Sequence, residues 1–330
     1  MSSCIGRVLM VATLLLIAPV GAQAEQVLRI GYLLSQNSQL GAGAKAFAEE
    51  VKKRTGGKFR VEQFPNGELG GEVEMIQAVQ SGQVDIALIT NAPFTNIIPE
   101  FGVFDVPFLF RNAHHAHAVL DGPIGKEYLE KFGSKDMVAL AWGENGLRHL
   151  TNSKRPIKGP QDLSGLKLRV PQSDVMVQGF QALGASAEPL AFPLLYSALS
   201  TGKFDGQENP IATIVSARYD KVQKYLTLSG HIYSWAAFII SKDVYDDLSP
   251  ADRAALVAAA ELGGAASRRY AADAEKSGVE KLRQGGMEVV TDIDRDAFIA
   301  TLKPAKAKFV EKFGAELIAR IESTKDESAN

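Results

Sequence analysis

Between residues 27 and 91 strand-like and helix-like segments alternate, and this order constrains the fold more than any other feature of the chain. Val27–Tyr32 reads as a strand. Leu40–Thr55 reads as a helix, with Ala44, Phe47, Ala48 and Val51 at helical spacing, and Phe59–Phe64 as a second strand in period-two alternation. Leu69-Gly70-Gly71-Glu72 then opens a helix that runs to Ser81, and Val84–Ile89 is a continuous apolar strand. Such an order predicts a mostly parallel sheet covered by helices, so one α/β lobe is expected to be complete by Asn91.

The rest of the chain reads as a second lobe and a return. Phe101–Phe110 is aromatic but interrupted by Gly102 and Pro107, and core packing beneath the sheet is favoured over a docking surface. After a buried strand at Val138–Trp142 the chain is expected to cross over, with Arg148–Asn152, Leu166–Val170 and Phe204–Gln207 as strands. Tyr225–Ser229 and Ser234–Ser241 lead back. At Ser249-Pro250-Ala251-Asp252 a helix starts: Ser249 caps, Pro250 takes the first helical position and Asp252 the capping-box place. Its pattern continues to about Gln284, with a kink expected at Gly263-Gly264. The division expected is residues 25–146 with 235–275 in lobe I and residues 147–234 with 276–330 in lobe II. A chain that is 46% apolar has the core for both.

Residues 1–24 carry one cation, Arg7, then an apolar run from Val8 to Val20 and Ala22-Gln23-Ala24. That is the pattern of a secretory signal peptide cleaved near Glu25. The single cysteine, Cys4, precedes the apolar run, so no lipid anchor is expected, and the mature chain has no thiol for disulfides, catalysis or metal. Loss of Arg7 takes the formal charge from −2 to −3, with acidic and basic residues interspersed and no basic stripe for nucleic acid. We expect a monomer exported to the periplasm, not inserted in the membrane and without a cofactor, whose tail Ser323–Asn330 frays.

The chemistry gathers around Gly165-Leu-Lys-Leu-Arg-Val-Pro171. Leu166, Leu168 and Val170 alternate with Lys167 and Arg169, and Pro171 ends the strand, which leaves Arg169 at the carboxyl edge where open α/β sheets place ligands. A planar guanidinium that keeps its proton suits a carboxylate held bidentately, although an arginine there can also be a plain surface group. Arg148 is a second cation at a strand end. Asn209 offers an amide presented by the turn at Pro210, or bonds its own backbone.

Taken together, Gly165–Pro171, Asp205-Gly-Gln-Glu-Asn-Pro210 and Gly143-Glu-Asn-Gly-Leu-Arg-His-Leu-Thr-Asn152 resemble the solute-binding proteins of tripartite ATP-independent periplasmic (TRAP) transporters, over nearly the whole mature chain. The resemblance implies a two-lobed periplasmic binding protein fold with a hinge, a central cleft and a long bracing helix. It also implies capture of a small organic acid for a TRAP membrane permease. On that resemblance Arg169 and Arg148 belong to the anion site and Asn209 holds the same carboxylate. Phe192, in Phe-Pro-x-x-Tyr-x-Ala-Leu (Phe192–Leu199), forms an aromatic wall, and Glu72 meets ligand hydroxyls. Thr90 and Asn91 end a strand beside the cleft, and Asn145 and Trp235 are further candidates from the crossover regions. Relatives that bind sialic acid have asparagine where Leu33 stands and glutamate where Thr90 stands, which argues against that ligand. Uronates and aldonates are favoured, and C4-dicarboxylates stay open because Arg148 and Arg169 can each take one carboxylate.

Rival readings are an exported two-lobed hydrolase or lyase and a small-ligand sensor domain. Gly41-Ala42-Gly43 lacks the third glycine of a dinucleotide fingerprint, and neither a Walker loop nor a nucleophile elbow is present. His114, His115 and His117 read as solvated histidines rather than a metal cluster.

Overall fold

The computed structural model describes residues 25–326, so the expected signal peptide, Cys4 and the end of the tail lie outside the described residues. Strand β1 (Gln26–Tyr32) pairs in parallel with β2 (Phe59–Phe64) and with β3 (Ile86–Thr90). The connecting helices, Gln39–Arg54 and Glu72–Gln80, bury Phe47 and Val51 and Met75, Ile76 and Val79 against the sheet. This is the alternation read from the sequence, and parallel pairing follows because each crossover is long enough to hold a helix.

The sheet continues through β4 (Met137–Asn152), β5 (Lys167–Val170), β6 (Ser186–Pro189), β7 (Gly206–Pro210) and β8 (Tyr225–Ser241) in the order β2-β1-β3-β8-β4-β7-β5-β6, and β9 (Glu288–Val290) also pairs with β8. Directions are mixed: β5 is parallel to β6 and β7 and β9 is parallel to β8, while β4 and β8 run antiparallel to each other, β8 to β3 and β4 to β7. Each expected pair of short crossover strands is in fact one strand, of 16 and 17 residues. Register shifts at Glu144/Gly146 and Arg148/Leu150, with Gly146 at φ 124° and Gly230 at φ 51°, bend these strands without ending them. Arg148 therefore lies inside β4 rather than at a strand end.

The helix Pro250–Gln284 runs 35 residues, and Ser249 Oγ accepts the Asp252 N–H at 3.2 Å as its cap. It is unbroken at Gly263 and Gly264, and these glycines serve close approach. A Cβ at Gly264 would stand 2.1 Å from the Trp142 carbonyl oxygen and one at Gly263 2.7 Å from the Phe238 ring, while one at Gly278 would stand 2.4 Å from Ile211. The helix is thereby seated on both halves of the sheet.

Residues 101–110 lie in the core. Phe101 and Phe94 pack on Trp235 with ring centroids 5.1 and 5.6 Å away, and Trp142 closes on it at 4.9 Å. Of the three histidines His114 is exposed, as the solvated reading expects, and the other two are not. His115 is fully buried, accepting from the Arg111 N–H and facing the Ile321 carbonyl oxygen, and His117 lies 2.6 Å from Glu144. The helix Ala113–Asp121 turns His115 inward against the helix Ala315–Ser323.

Candidate functional site

The carboxyl ends of the parallel strands from both halves point into one gap. Leu33 and Leu34 follow β1, Thr90 ends β3, Arg169 and Pro171 close β5, and Asn209 stands near the end of β7. With Glu72, Asn145, Arg148, Phe192 and Thr213 they line a cavity of about 30 Å³. This is the position at which open α/β folds hold ligands, and here two such edges face each other. The walls are close together beside Arg169, and a wider opening of about 180 Å³ adjoins this space at Leu33, Leu34 and Phe192.

Arg169 is 3% exposed. Its Nε and Nη2 both donate to the Leu190 carbonyl oxygen, at 2.8 and 2.6 Å, which fixes the plane of the guanidinium. The Nη1–Nη2 edge has no protein acceptor among the described residues. Burial lowers its pKa to about 10, partly offset by Tyr219 and Glu208, so it stays cationic at neutral pH. A buried cation with one edge pinned and the other open is a preorganised seat for a carboxylate.

Arg148 is employed differently. Its Nε and Nη2 donate to the two carboxylate oxygens of Glu208 at 2.5 and 2.7 Å, Nη2 also reaches the Glu208 carbonyl oxygen at 2.7 Å, and Nη1 donates to Ser234 Oγ at 3.4 Å. Glu208 is fully buried, with His231 Nε2 at 3.0 Å. Burial disfavours the Glu208 charge, yet Arg148 and His231 hold the carboxyl below its usual range, while burial lowers His231. The site therefore contains a closed Arg148–Glu208 ion pair beside a neutral imidazole, and Arg148 has no fork to offer a second carboxylate. Asn209 Oδ1 accepts from Arg148 at 3.3 Å and its Nδ2 donates to Gln207 Oε1 at 2.5 Å, which leaves one amide hydrogen for the cavity.

On the opposite wall Glu72 accepts from the Thr90 N–H at 2.7 Å and the Thr90 hydroxyl at 3.0 Å. Burial raises its pKa against those two donors and against Arg169. Asn145 and Thr213 join through Gln39, whose Nε2 donates to Asn145 Oδ1 at 2.6 Å and Thr213 Oγ1 at 2.9 Å. Phe192 packs partly on the core of each half of the sheet, so it spans the gap.

Two expected residues do not line the cavity. Trp235 is fully buried in the aromatic core, because the strand that carries it turns that side chain away from the cleft. Asn91 is buried behind the wall, where it donates to Asp105 and accepts from Ser234. Leu34 and Thr213 do line it, although no local pattern marks either one.

Asp105 is fully buried, and Ser173 Oγ, the cap of the helix Asp174–Ala182, donates to it at 2.6 Å. Burial lifts its pKa from 3.8 to about 6, against these donors and Arg148. The folded protein thus binds this proton more tightly than the unfolded chain. The stability tied to it is full below the unfolded value and is lost as pH rises through the folded value, about 3 kcal/mol in all. Asp105→Asn, whose amide can serve the same partners, should gain about 3 kcal/mol on the wild type between acid and neutral pH in urea unfolding. A pH-independent difference would refute the assignment.

A larger cavity of about 230 Å³ lies under the long helix, lined by His117, Glu144, Arg268 and several alanines. There Arg268 is bound bidentately by Asp121 at 2.7 and 2.8 Å, and Glu144 by His117 and Tyr233, so its main charges are paired. The converging strand ends and the open guanidinium edge favour the smaller cleft.

Known proteins agree with this architecture. Residues 30–312 match the family described as DctP, bacterial extracellular solute-binding protein, family 7. A solute-binding protein of Verminephrobacter eiseniae is 44% identical over 302 residues, covering 92% of this chain and 90% of its own. A TRAP periplasmic solute-binding protein of Bordetella bronchispeptica superposes with TM-score 0.89 at 45% identity, over 91% of this chain and 99% of its own. One from Polaromonas sp. JS666 superposes with TM-score 0.90 at 44% identity, over 92% and 100%. These likenesses set aside the hydrolase and lyase readings, and the chain belongs to family 7 of the bacterial extracellular solute-binding proteins, the DctP family of TRAP periplasmic solute-binding proteins.

Proposed function

We propose that the protein captures an organic acid, a sugar acid of the uronate or aldonate type or a C4-dicarboxylate, by seating its carboxylate on Arg169, and delivers it to a TRAP membrane permease. The observation that carries this reading is the Nη1–Nη2 edge of Arg169, buried in the cleft and lacking a protein partner among the described residues. Similarity supports the ligand class. The Bordetella protein has density interpreted as pantoate, and the Polaromonas protein is bound to D-erythronate.

In this reading residues 25–146 with 235–275 form one lobe and residues 147–234 with 276–330 the other, except that the helix Ala315–Ser323 is tied back to the first lobe through Arg320–Glu127 and Ile321–His115. The bending elements are β4, β8 and the long helix, which contact both halves of the sheet. A guest touching Arg169 on one side and Glu72 on the other favours closure, because only the closed state makes both contacts. Charge-assisted bonds of about 1.5–3 kcal/mol each from Arg169, with the Asn209 amide and expelled water, suffice for micromolar binding near −8 kcal/mol. The protein works in the periplasm, and no helix among the described residues is long and apolar enough to cross a membrane.

Titration calorimetry against uronates, aldonates and dicarboxylates should give heat with a carboxylate and none with its neutral amide. Silence across the series, or equal binding of the amide, would reject the reading.

A further inference from the structure

We infer that the guest is a compact hydroxymonocarboxylate with an uncharged far end, and that C4-dicarboxylates are excluded. This rests on the seating of one carboxylate on Arg169 proposed above, and adds what the remaining walls will accept.

Only two cations, Arg148 and Arg169, line the cavity among the described residues. Arg148 gives Nε and Nη2 to the Glu208 carboxylate, and its Nη1 makes one long contact of 3.4 Å to Ser234, which leaves a single hydrogen and no two-donor edge for a carboxylate. The pair is neutral as a unit and both members are almost wholly buried. Taking Arg148 from Glu208 for a ligand would leave Glu208 charged without its cation, so the pair does not open to receive a second anion.

Away from Arg169 the walls are of two kinds. Leu33, Leu34, Pro171 and Phe192 are apolar, and Asn145 and Thr213 are neutral and tied to Gln39. The remaining acidic group is Glu72, whose two oxygens accept from the Thr90 N–H and the Thr90 hydroxyl as an ionised carboxylate does. A second carboxylate would lie against leucine or beside this like charge, with no cation to neutralise it. A hydroxyl meets the same walls well: Glu72 has two acceptor positions beyond those taken by Thr90, and these accept hydroxyl hydrogens. A methyl or hydroxymethyl end suits the leucines. The cavity of about 30 Å³ adds a size limit, because a small guest enters with the least retreat of Phe192 and the leucines from the opposite wall.

The test titrates the full mature chain with D-erythronate, succinate and D-glucuronate in the calorimeter. Erythronate should bind at least about a hundredfold more tightly than succinate and at least about tenfold more tightly than the bulkier glucuronate. Glu72→Gln removes the like charge while keeping an acceptor for Thr90, and should narrow the erythronate-to-succinate ratio by at least about tenfold. Succinate binding as tightly as erythronate, with both lost in Arg169→Lys, would overturn this inference and leave the Arg169 seat standing. Glucuronate equal to erythronate would overturn the size limit, and an unchanged ratio in Glu72→Gln would overturn the charge argument. Binding of no carboxylate at all would overturn the inference together with the seat.

Discussion

Arg169→Lys is expected to weaken binding of the carboxylate ligand by well over tenfold while the protein stays folded. The argument is geometric, since the substitution keeps the charge. In the wild type one edge of the guanidinium is held by the Leu190 carbonyl oxygen at 2.8 and 2.6 Å, and this aims the other edge into the cleft. An ammonium has no second edge: it either satisfies Leu190 or reaches the guest, and cannot present two parallel donors to a carboxylate. The buried site also penalises a compact, strongly hydrated ammonium more than a guanidinium. Calorimetry measures the affinity, and a melting curve of the unliganded variant separates lost binding from lost folding. Unchanged affinity would reject the seat.

Glu208→Gln is expected to destabilise the fold by about 3–5 kcal/mol at neutral pH, measured by urea unfolding. Glu208 is 0% exposed and Arg148 2% exposed. The glutamine retains one acceptor for Arg148 but no charge, so the guanidinium is left buried and uncompensated. His231 lies on the same carboxylate oxygen at 3.0 Å and loses its partner too. A change below about 1 kcal/mol, the size of an exposed pair, would show that solvent reaches Arg148 and that the pair is not closed.

The local parts of this fold were legible in the sequence because their signals are local. Periodicity placed β1, β2, β3 and the two helices between them, and Ser249-Pro250 placed the start of the long helix to the residue. The position of Arg169 was legible for a similar reason: an alternating strand closed by a proline puts its last charged side chain at a sheet edge. What was hidden depends on pairing between distant segments. In the sequence Arg148 reads as a second open cation, and what closes it is the pairing of β4 with β7, with Leu150 opposite Glu208 and Arg148 opposite Pro210. That register brings Glu208 diagonally onto Arg148, and 60 residues separate them in sequence. The sequence splits each crossover strand in two because a glycine at positive φ marks a bulge as readily as an end, and only the neighbouring strands decide which. Trp235 and Asn91 stay out of the cavity wall because the direction of a side chain inside an irregular strand or a short helical turn is set by packing, not by its place along the chain. Thr213 entered the cavity wall through a hydrogen bond to Gln39, 174 residues away.

A crystal structure of the protein grown with D-erythronate tests the central claim most directly. The account predicts the ligand carboxylate on the Nη1–Nη2 edge of Arg169, with two parallel bonds of about 2.7–2.9 Å, and the Arg148–Glu208 pair intact beside it. A carboxylate bound by Arg148 instead, or found in the cleft with Arg169 turned away to solvent, would contradict it.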